Sequence, residues 1–345
     1  MRSSPFVPRP PSRRADLARG VTRLTLRPVS TRLPANELGV GIARRILAGS
    51  MALGGVSARG VTVTPVDSET IGRGHRQGPG AGRVKGEWLR PERPAADGVV
   101  LYVHGSGYSL CSVRTHRPLV SQVAARTRLP VFSTEYRLAP RHTFPAAADD
   151  VERAYRWLLA QGHAPDRVVL AGDSAGGHLI LDLALQLLRD GEERPAGLVM
   201  FSPLVDPTLE LARRREEALP DPMTSAETAR RLVGHYLRDV DPAHPRLTHV
   251  PEPHEALPPT LIQAGGAEML AADAHHLHDL LAASGTDVTL EVWPGQMHVF
   301  QAASRFVPES YAALDRAARF ARSALAARAT GAAGAGRAAR EEDSA

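Results

Sequence analysis

Cysteine is almost absent from this sequence of 345 residues, in which Cys111 stands alone. One thiol excludes an intrachain disulfide framework and a zinc site built from cysteines. We predict that Cys111 is a small buried residue, and the alternative is that it lines a pocket. The histidines at positions 275–278 lack an acidic partner at metal-site spacing, so we predict neither a metal nor another cofactor.

Long apolar runs are also missing. No stretch approaches the roughly 18 consecutive apolar residues of a membrane span, which predicts no stable membrane insertion. Residues 1–20 are rich in Arg, Pro and Ser, and they lack the apolar stretch of about 7–15 residues that marks a secretory signal. We therefore predict a cytoplasmic protein whose residues 1–20 form a flexible leader.

Lysine occurs once, at Lys85, so arginine supplies the other 41 basic side chains. The net charge of +5 and the sequence pI of about 9.8 favour, at first sight, a nucleic-acid partner. Residues 1–60, however, hold eleven arginines and two acids, a net charge of +9, which leaves −4 for the other 285 residues. Because the main body is slightly acidic, we expect no nucleic-acid partner. Association of the Arg-rich leader with nucleic acid or membranes is the alternative.

The order of predicted elements indicates an α/β fold. Alternation predicts strands at 61–66 and 84–89, joined by a flexible connection over Gly72–Gly82. From Val99 onward strands and helices alternate, which predicts a mostly parallel central sheet flanked by helices on both faces. Residues 329–345, rich in Ala, Gly and Arg, are predicted to be a disordered tail. The other predicted strands are 99–103, 131–136, 168–171, 198–201, 260–264 and 288–293, and the predicted helices are 36–53, 115–126, 145–159, 175–189, 272–283 and 309–327.

A G-x-S-x-G motif lies in Gly172–Gly177, between a predicted strand and a predicted helix. That context is typical of a nucleophile elbow, in which a sharp turn raises the serine hydroxyl above the sheet edge. Gly172 and Gly176 suit the turn, because a Cβ there would collide with neighbouring backbone. We predict Ser174 as the nucleophile, with Asp173 and Gly176 as supporting residues.

A second glycine-rich turn, His104-Gly105-Ser106-Gly107, follows the strand at 99–103. Acyl transfer passes through an oxyanion that needs preorganised N–H donors, and small residues allow the backbone to approach closely. In α/β-hydrolases such a loop acts together with the N–H after the nucleophile. We predict Gly105, Ser106 and Ala175 as the oxyanion-hole donors, with His104 and Gly107 in support.

A serine nucleophile needs a base, and the base needs an acid that orients it. The chain order in this kind of fold is serine, acid, histidine. Glu268 follows one predicted strand and His298 follows the next, so both should meet Ser174 at the same sheet edge. We predict Glu268 as the acid and His298 as the base. Asp273 is the alternative acid, although its position at a helix start favours a capping role.

Taken together, these motifs resemble the hormone-sensitive-lipase family of α/β-hydrolase esterases. The combination is specific, whereas each motif alone is common, and the resemblance covers about residues 84–320. The Tyr136–Pro140 segment is expected to brace the oxyanion loop. The stretches that carry the resemblance are His104–Tyr108, Tyr136–Pro140 running into residues 144–147, Gly172–Gly177, Glu268–Asp273 and His298.

The resemblance implies a helical cap made of residues 21–55 and 205–250 over a hydrolase core at 56–204 and 251–328. It also implies a serine carboxylesterase that hydrolyses short-chain carboxylic esters or small lactones through an acyl-enzyme. A homodimer is a hypothesis from the resemblance alone. Deacetylation, acyl transfer or cyclisation in secondary metabolism are alternative reactions. A non-catalytic small-ligand-binding protein on the same fold is the alternative of another class, and the presence of His298 argues against it.

Three positions depart from the usual pattern of the family. Ser106 stands where a glycine is usual, and we expect its side chain to narrow the pocket while its N–H still donates. Glu268 replaces the more common aspartate and is one methylene longer. Val299 replaces the glycine that usually follows the catalytic histidine, so we expect altered mobility of that loop. None of the three removes a member of the predicted triad.

Overall fold

The structure is a computed structural model, and it describes residues 6–33, 36–70, 82–94, 97–248, 251–252 and 255–342. The predicted connection over Gly72–Gly82 lies outside the described residues except for Gly82 itself. The first five residues of the predicted leader and the last three of the predicted tail also lie outside them.

Within the described ranges, eight strands form one sheet in the order β1-β2-β4-β3-β5-β6-β7-β8. The strand β2 pairs antiparallel with β1 and with β4, and every other pairing is parallel. This confirms the predicted mostly parallel sheet. The strands are β1 (Val61–Thr70), β2 (Gly82–Pro91), β3 (Val99–Val103), β4 (Val131–Glu135), β5 (Val168–Asp173), β6 (Gly197–Phe201), β7 (Thr260–Gly265) and β8 (Val288–Trp293).

Ten α-helices of the described chain surround this sheet or lie over its carboxyl edge. The predicted helices of the main body are all present, with starts displaced by at most two residues. The helices are α1 (Arg13–Arg32), α2 (Glu37–Gly54), α3 (Val113–Thr127), α4 (Ala146–Ala160), α5 (Ala175–Arg189), α6 (Glu210–Ala218), α7 (Ala226–Gly234), α8 (Pro245–Thr248), α9 (Ala271–Ala283) and α10 (Glu309–Glu342).

The sheet is buried on both faces, because alternate side chains of each central strand enter different cores. In β3, Val99, Leu101 and Val103 belong to the core that includes residues of α4, α5 and α9. Val100 and Tyr102 belong to the other core, with residues of α3 and α10. A strand covered on both sides must be apolar throughout, which explains why the run at 99–103 is so clear a signal in the sequence.

Two boundaries predicted from composition differ from the structure. Residues 13–20 of the predicted flexible leader belong to helix α1, whose start is capped by the Ser12 side chain on the Ala15 N–H. Ser12 is itself anchored by Glu309, which accepts from the Ser12 N–H at 2.6 Å. The predicted disordered tail from residue 329 overlaps α10, which continues to Glu342. Arginine and alanine are good helix formers, and that propensity competes with the compositional signal.

The turn between β5 and α5 depends on close backbone approach at Gly176. A Cβ placed there would lie 2.0 Å from the Val103 carbonyl oxygen and 2.7 Å from that of His104. The first turn of α5 is thus packed directly on the end of β3. This contact fixes the position of Ser174, the residue before α5, above the sheet.

We expect Gly176→Ala to lower the free energy of unfolding by about 1–3 kcal/mol, because the added methyl meets immobile backbone. Gly49→Ala is the matched control: Gly49 lies inside α2, and a Cβ added there would have nothing within 4 Å. That change should be neutral or stabilising by up to about 1 kcal/mol. Urea denaturation of both variants measures the difference. Equal stabilities would contradict the importance of close backbone approach at Gly176.

Candidate active site

The residue at the sharp turn after β5 is Ser174, and its backbone is held in an unusual conformation. Its φ of 51° and ψ of −122° lie outside the common regions for an L-residue. The Ser174 N–H donates to the Phe201 carbonyl at 2.9 Å, and the Ser174 carbonyl accepts from the Leu204 N–H at 3.1 Å. The turn is therefore tied to the segment after β6 on both sides of the serine.

Glu268 lies just past the end of β7 and is fully buried. One carboxylate oxygen accepts from the Ser202 hydroxyl at 2.8 Å and from the Gly265 N–H at 2.6 Å. The other accepts a short hydrogen bond from His298 Nδ1. Since buried carboxyl oxygens need hydrogen-bond partners, these donors hold the Glu268 side chain in place.

His298 follows β8, and its side chain lines the same cavity as Ser174. Burial alone would lower the pKa of His298, but the Glu268 carboxylate outweighs it, so the pKa lies above its ordinary value. Among the described residues, Ser174 Oγ makes no hydrogen bond to His298. Such contacts are often long before substrate binds. With Nδ1 engaged by Glu268, the Nε2 atom is the one left to exchange a proton.

Asp273, the alternative acid, makes no hydrogen bond to His298 in the described part of the chain. Its Oδ1 accepts from the Val205 and Asp206 N–H groups, both at 2.9 Å. The predicted capping role is also wrong, because α9 begins after Leu270 and no side-chain cap bond is present there. Burial raises the pKa of Asp273 to about 7. A carboxyl group that is partly neutral at physiological pH is poorly suited to stabilise an imidazolium. The hydrogen bond between Glu268 and His298 also favours Glu268 as the acid.

The turn after β3 passes directly over the nucleophile. A Cβ at Gly105 would lie 2.2 Å from an Asp173 carboxylate oxygen and 2.9 Å from the Ser174 Cβ, so a side chain is excluded there. Within the described part of the chain, the N–H groups of Gly105, Ser106 and Ala175 have no protein acceptor. They are the three N–H groups that the sequence predicts as oxyanion-hole donors.

A stacked pair supports this turn from below, as predicted for the segment that begins at Tyr136. The Tyr136 hydroxyl donates to the His104 carbonyl at 2.8 Å, and the two rings stack with centroids 4.3 Å apart. The Ala139 N–H donates to the Tyr108 carbonyl at 2.9 Å. Burial lowers the pKa of His104 to about 3. His104 is therefore a neutral structural residue and not a second base.

A buried polar cluster next to Ser174 joins Asp173, predicted as a supporting residue, to Tyr102 and His116, which sequence reasoning missed. Asp173 accepts from the Tyr102 hydroxyl at 2.7 Å and lies 3.3 Å from His116 Nε2. Burial opposes ionisation of Asp173, but the contacts with His116 and Tyr102 outweigh it, so its pKa is lowered. The cluster keeps a carboxylate beneath the Gly105 turn. Because His116 lies within α3 and belongs to no motif, no spacing in the sequence relates it to Asp173.

Two of the departures from the family pattern occupy left-handed backbone. Ser106 has a φ of 124° and Val299 a φ of 47°, both in the region where glycine is favoured. The Ser106 hydroxyl donates to the Leu110 carbonyl, and the Val299 N–H donates to the Ser202 hydroxyl at 3.0 Å. Local hydrogen bonds therefore hold each residue in a conformation that its type rarely adopts.

Ser174 and His298 open into a cavity of about 680 Å³. Its walls are mostly apolar side chains from the N-terminal helices α1 and α2 and from the helical insertion after β6. Cys111 is among the lining residues, which confirms the pocket-lining alternative, and its thiol lies 3.9 Å from the Met51 sulfur. A cavity of this size and character accommodates a small organic ligand.

The insertion after β6 contacts the acid loop directly. Arg215 of α6 donates to the carbonyls of Gly266 and Glu268, both at 2.8 Å. The buried Asp221 accepts from the Met269 N–H at 2.9 Å. These hydrogen bonds connect the insertion to the residues on either side of the Glu268 carboxylate. Sequence reasoning missed both contributors, because no motif or spacing relates them to residue 268.

The two separated segments expected to form the cap contact each other through Arg27 of α1. Its guanidinium donates to the Thr224 carbonyl at 2.9 Å and to Glu216 at 2.7 Å, and it also donates to the Asp221 carbonyl. The Ser30 hydroxyl donates to the Met223 carbonyl at 2.9 Å. Helix α1 therefore lies against the insertion, and together they cover the sheet edge that carries Ser174.

Neither a metal site nor a membrane span is found among the described residues. No group of three or more His, Cys, Asp or Glu side chains in those ranges has the geometry of a metal site. No helix among the same residues combines the length and apolarity that crossing a membrane requires.

The strand order, the sharp turn at Ser174 and the buried acid–histidine pair define an α/β-hydrolase with a serine nucleophile. Comparison with known proteins agrees, since residues 100–302 match the family described as the alpha/beta hydrolase fold. A crystal structure of an esterase from the bacterial hormone-sensitive lipase family superposes with a TM-score of 0.78 at 32% identity, over 91% of this chain and 99% of that one.

Curated relatives carry hydrolase names. An acetyl-hydrolase from Streptomyces hygroscopicus is 40% identical over 244 residues, which is 70% of this chain and 81% of the relative. The carboxylesterase/phospholipase LipF of Mycobacterium tuberculosis is 39% identical over 241 residues, 66% of this chain and 63% of the relative. The chain belongs to the hormone-sensitive-lipase family of α/β-hydrolases, and it is a serine hydrolase of carboxylic esters.

We expect Arg215→Met to lower kcat by about 10- to 100-fold with little change in KM. A small displacement of Glu268, the predicted acid, would misorient His298, the predicted base. Methionine keeps the apolar stem and removes both donors. Arg214→Met is the matched control, since Arg214 is exposed and bonds only Glu210 among the described residues. Steady-state kinetics on a soluble ester measures both. Equal kcat values for the two variants would exclude a role of Arg215 in positioning the acid.

Proposed function

We propose that the protein hydrolyses short-chain carboxylic esters or small lactones, with Ser174, His298 and Glu268 as its catalytic triad. The observation that carries this proposal is the hydrogen-bonded pair of His298 and buried Glu268, which opens into the same apolar cavity as Ser174. Backbone N–H groups beside the serine support the same reaction, because they match the charge that develops during acyl transfer.

In the proposed mechanism His298 Nε2 takes the proton of Ser174 as the hydroxyl oxygen attacks the ester carbonyl. Glu268 holds the Nδ1 proton and stabilises the imidazolium. The N–H groups of Gly105, Ser106 and Ala175 receive the oxyanion. His298 then protonates the departing alcohol, and water attacks the acyl-enzyme with His298 again as the base. A raised pKa makes the imidazole a stronger base at the moment of attack.

Short acyl chains are proposed from the family and from the relatives. Similarity to the Streptomyces acetyl-hydrolase supports acetate esters among the substrates. The mostly apolar lining of the cavity suits an uncharged small-molecule ester. Deacetylation in secondary metabolism is a variant of the same reaction. Acyl transfer or cyclisation would require that an acceptor displace water from the acyl-enzyme.

We also propose a cytoplasmic location.

We expect Ser174→Ala to lower kcat for p-nitrophenyl acetate by about four to six orders of magnitude, since it removes the attacking oxygen. Ser68→Ala, on strand β1 and outside the cavity lining, should retain wild-type activity. A series of p-nitrophenyl esters from C2 to C12 should show the highest kcat/KM at short chains. Equal rates for Ser174→Ala and wild type would refute the serine mechanism, whereas a maximum at C12 would refute only the proposed chain length.

The pH profile tests the acid. The base is active when unprotonated, and the carboxylate of Glu268 raises the pKa of His298, so activity should fall as the pH drops through that raised value. In Glu268→Gln the fall in activity at low pH should begin at a lower pH than in the wild type, and kcat should drop by about 10³- to 10⁴-fold. Asp273→Asn is the comparison variant. It should retain most of kcat, and its activity should fall at the same pH as that of the wild type. A reversed pattern would assign the acid to Asp273.

A further inference from the structure

Helix α1 turns an apolar face toward solvent. Leu17, Val21 and Leu24 are 69%, 52% and 79% exposed, and their spacing of four and three residues places them along one side of the helix. We call these three side chains the α1 ridge. The opposite side of α1 contacts the loop after β8. Arg19 donates to the Gly295 carbonyl at 2.9 Å, and the Thr22 hydroxyl lies 3.7 Å from the Met297 sulfur. The ridge therefore points away from the protein core.

Two arginines bracket the α1 ridge. Arg13 lies one turn before Leu17, and Arg32 lies two turns after Leu24, so both share the side of the helix that carries the ridge. Both are exposed, and neither makes an ion pair within the described part of the chain. An apolar ridge bordered by unpaired basic residues is typical of helices that lie in the plane of a lipid interface.

The α1 ridge borders the opening of the active-site cavity. Leu17 and Val21 line the cavity and are at the same time more than half exposed, so they lie where it meets solvent. Phe306, which is 46% exposed, also lines it. A surface that covered the α1 ridge would therefore lie beside the entrance through which an ester reaches Ser174.

The charge of α1 distinguishes two possible partners of the α1 ridge, a second copy of the chain and an anionic lipid surface. A second copy of the chain in a symmetric contact would bring Arg13 and Arg32 of both copies together, within a segment whose net charge is +9 over residues 1–60. An anionic lipid surface would meet the same arginines with phosphate groups and the α1 ridge with acyl chains. The charge pattern is complementary to the lipid surface and repulsive to a second copy.

We propose that the α1 ridge docks the cavity entrance onto an anionic phospholipid surface. The helix lies on the interface without crossing it. Passage of an apolar ester from the lipid into the cavity rests on the proposed function. Because binding requires only the exposed face of α1, it does not depend on the proposed esterase mechanism.

Vesicle flotation of the full-length chain tests the proposal. The protein carries Ser174→Ala, so that ester lipids are not consumed and the outcome is independent of catalysis. The vesicles contain equal parts of phosphatidylglycerol and phosphatidylcholine, or phosphatidylcholine alone. We expect the partition coefficient to be about tenfold or more higher on the anionic vesicles, and to fall at high salt because the attraction is screened.

Two variants locate the contact. Leu24→Ser, and Arg13→Gln combined with Arg32→Gln, should each reduce partition on anionic vesicles by about fivefold or more. Leu219→Ser, and Arg93→Gln combined with Arg128→Gln, change exposed side chains outside α1 and remove the same numbers of apolar and charged groups. They are the matched controls and should bind like the parent protein. Leu24 does not line the cavity, so Leu24→Ser with Ser174 intact should hydrolyse a soluble ester at the parent rate, which shows that the variant is folded.

Three results would overturn the proposal. The first is a parent protein that floats with neither vesicle. The second is an anionic partition that is unchanged in both α1 variants, since another surface would then be responsible. The third is a concentration-dependent dimer, seen by light scattering, that Leu24→Ser abolishes, because the α1 ridge would then be covered by a second copy.

Discussion

The arrangement of the site depends on one constraint, the complete burial of the Glu268 carboxylate. A carboxylate without water must receive its hydrogen bonds from the protein. Its donors come from three places: Ser202 after β6, Gly265 at the end of β7 and His298 after β8. Satisfying this single group therefore sets the relative positions of three loops at the carboxyl edge of the sheet. His298 is oriented by the same requirement, and a loop that moved would leave a buried carboxyl oxygen without a hydrogen bond.

The same constraint involves the insertion after β6, which contacts the loop that carries Glu268. Arg215 and Asp221 hold the backbone beside the acid, and Arg27 connects that insertion to the N-terminal helix. Displacing either segment would loosen the loop that carries Glu268. A ligand bound in the cavity would contact both segments. Because the segments are coupled in this way, such a ligand would stabilise the position of the Glu268 loop.

Much of the fold was predictable, because buried parallel strands are apolar throughout and the candidate site residues follow their ends. Ser174, Glu268 and His298 each follow such a strand, so chain order was enough to predict that they lie at one edge of the sheet. The remaining features depend on tertiary contacts. Helix α1 begins inside an Arg- and Pro-rich stretch because Ser12 caps it and Glu309 anchors Ser12. The partners of Asp273 are backbone groups more than 60 residues away, which no local pattern indicates.

The lone cysteine has a practical consequence. Cys111 lies in the cavity wall beside a methionine sulfur, and burial raises the pKa of its thiol to about 12. The thiolate is the form that reacts with alkylating reagents, so at neutral pH the native chain should be nearly inert toward them. A cysteine introduced on the surface would then be modified selectively, with Cys111 left in place. The chain is thus suited to the attachment of a single spectroscopic label, with no background substitution in the wall of the active site.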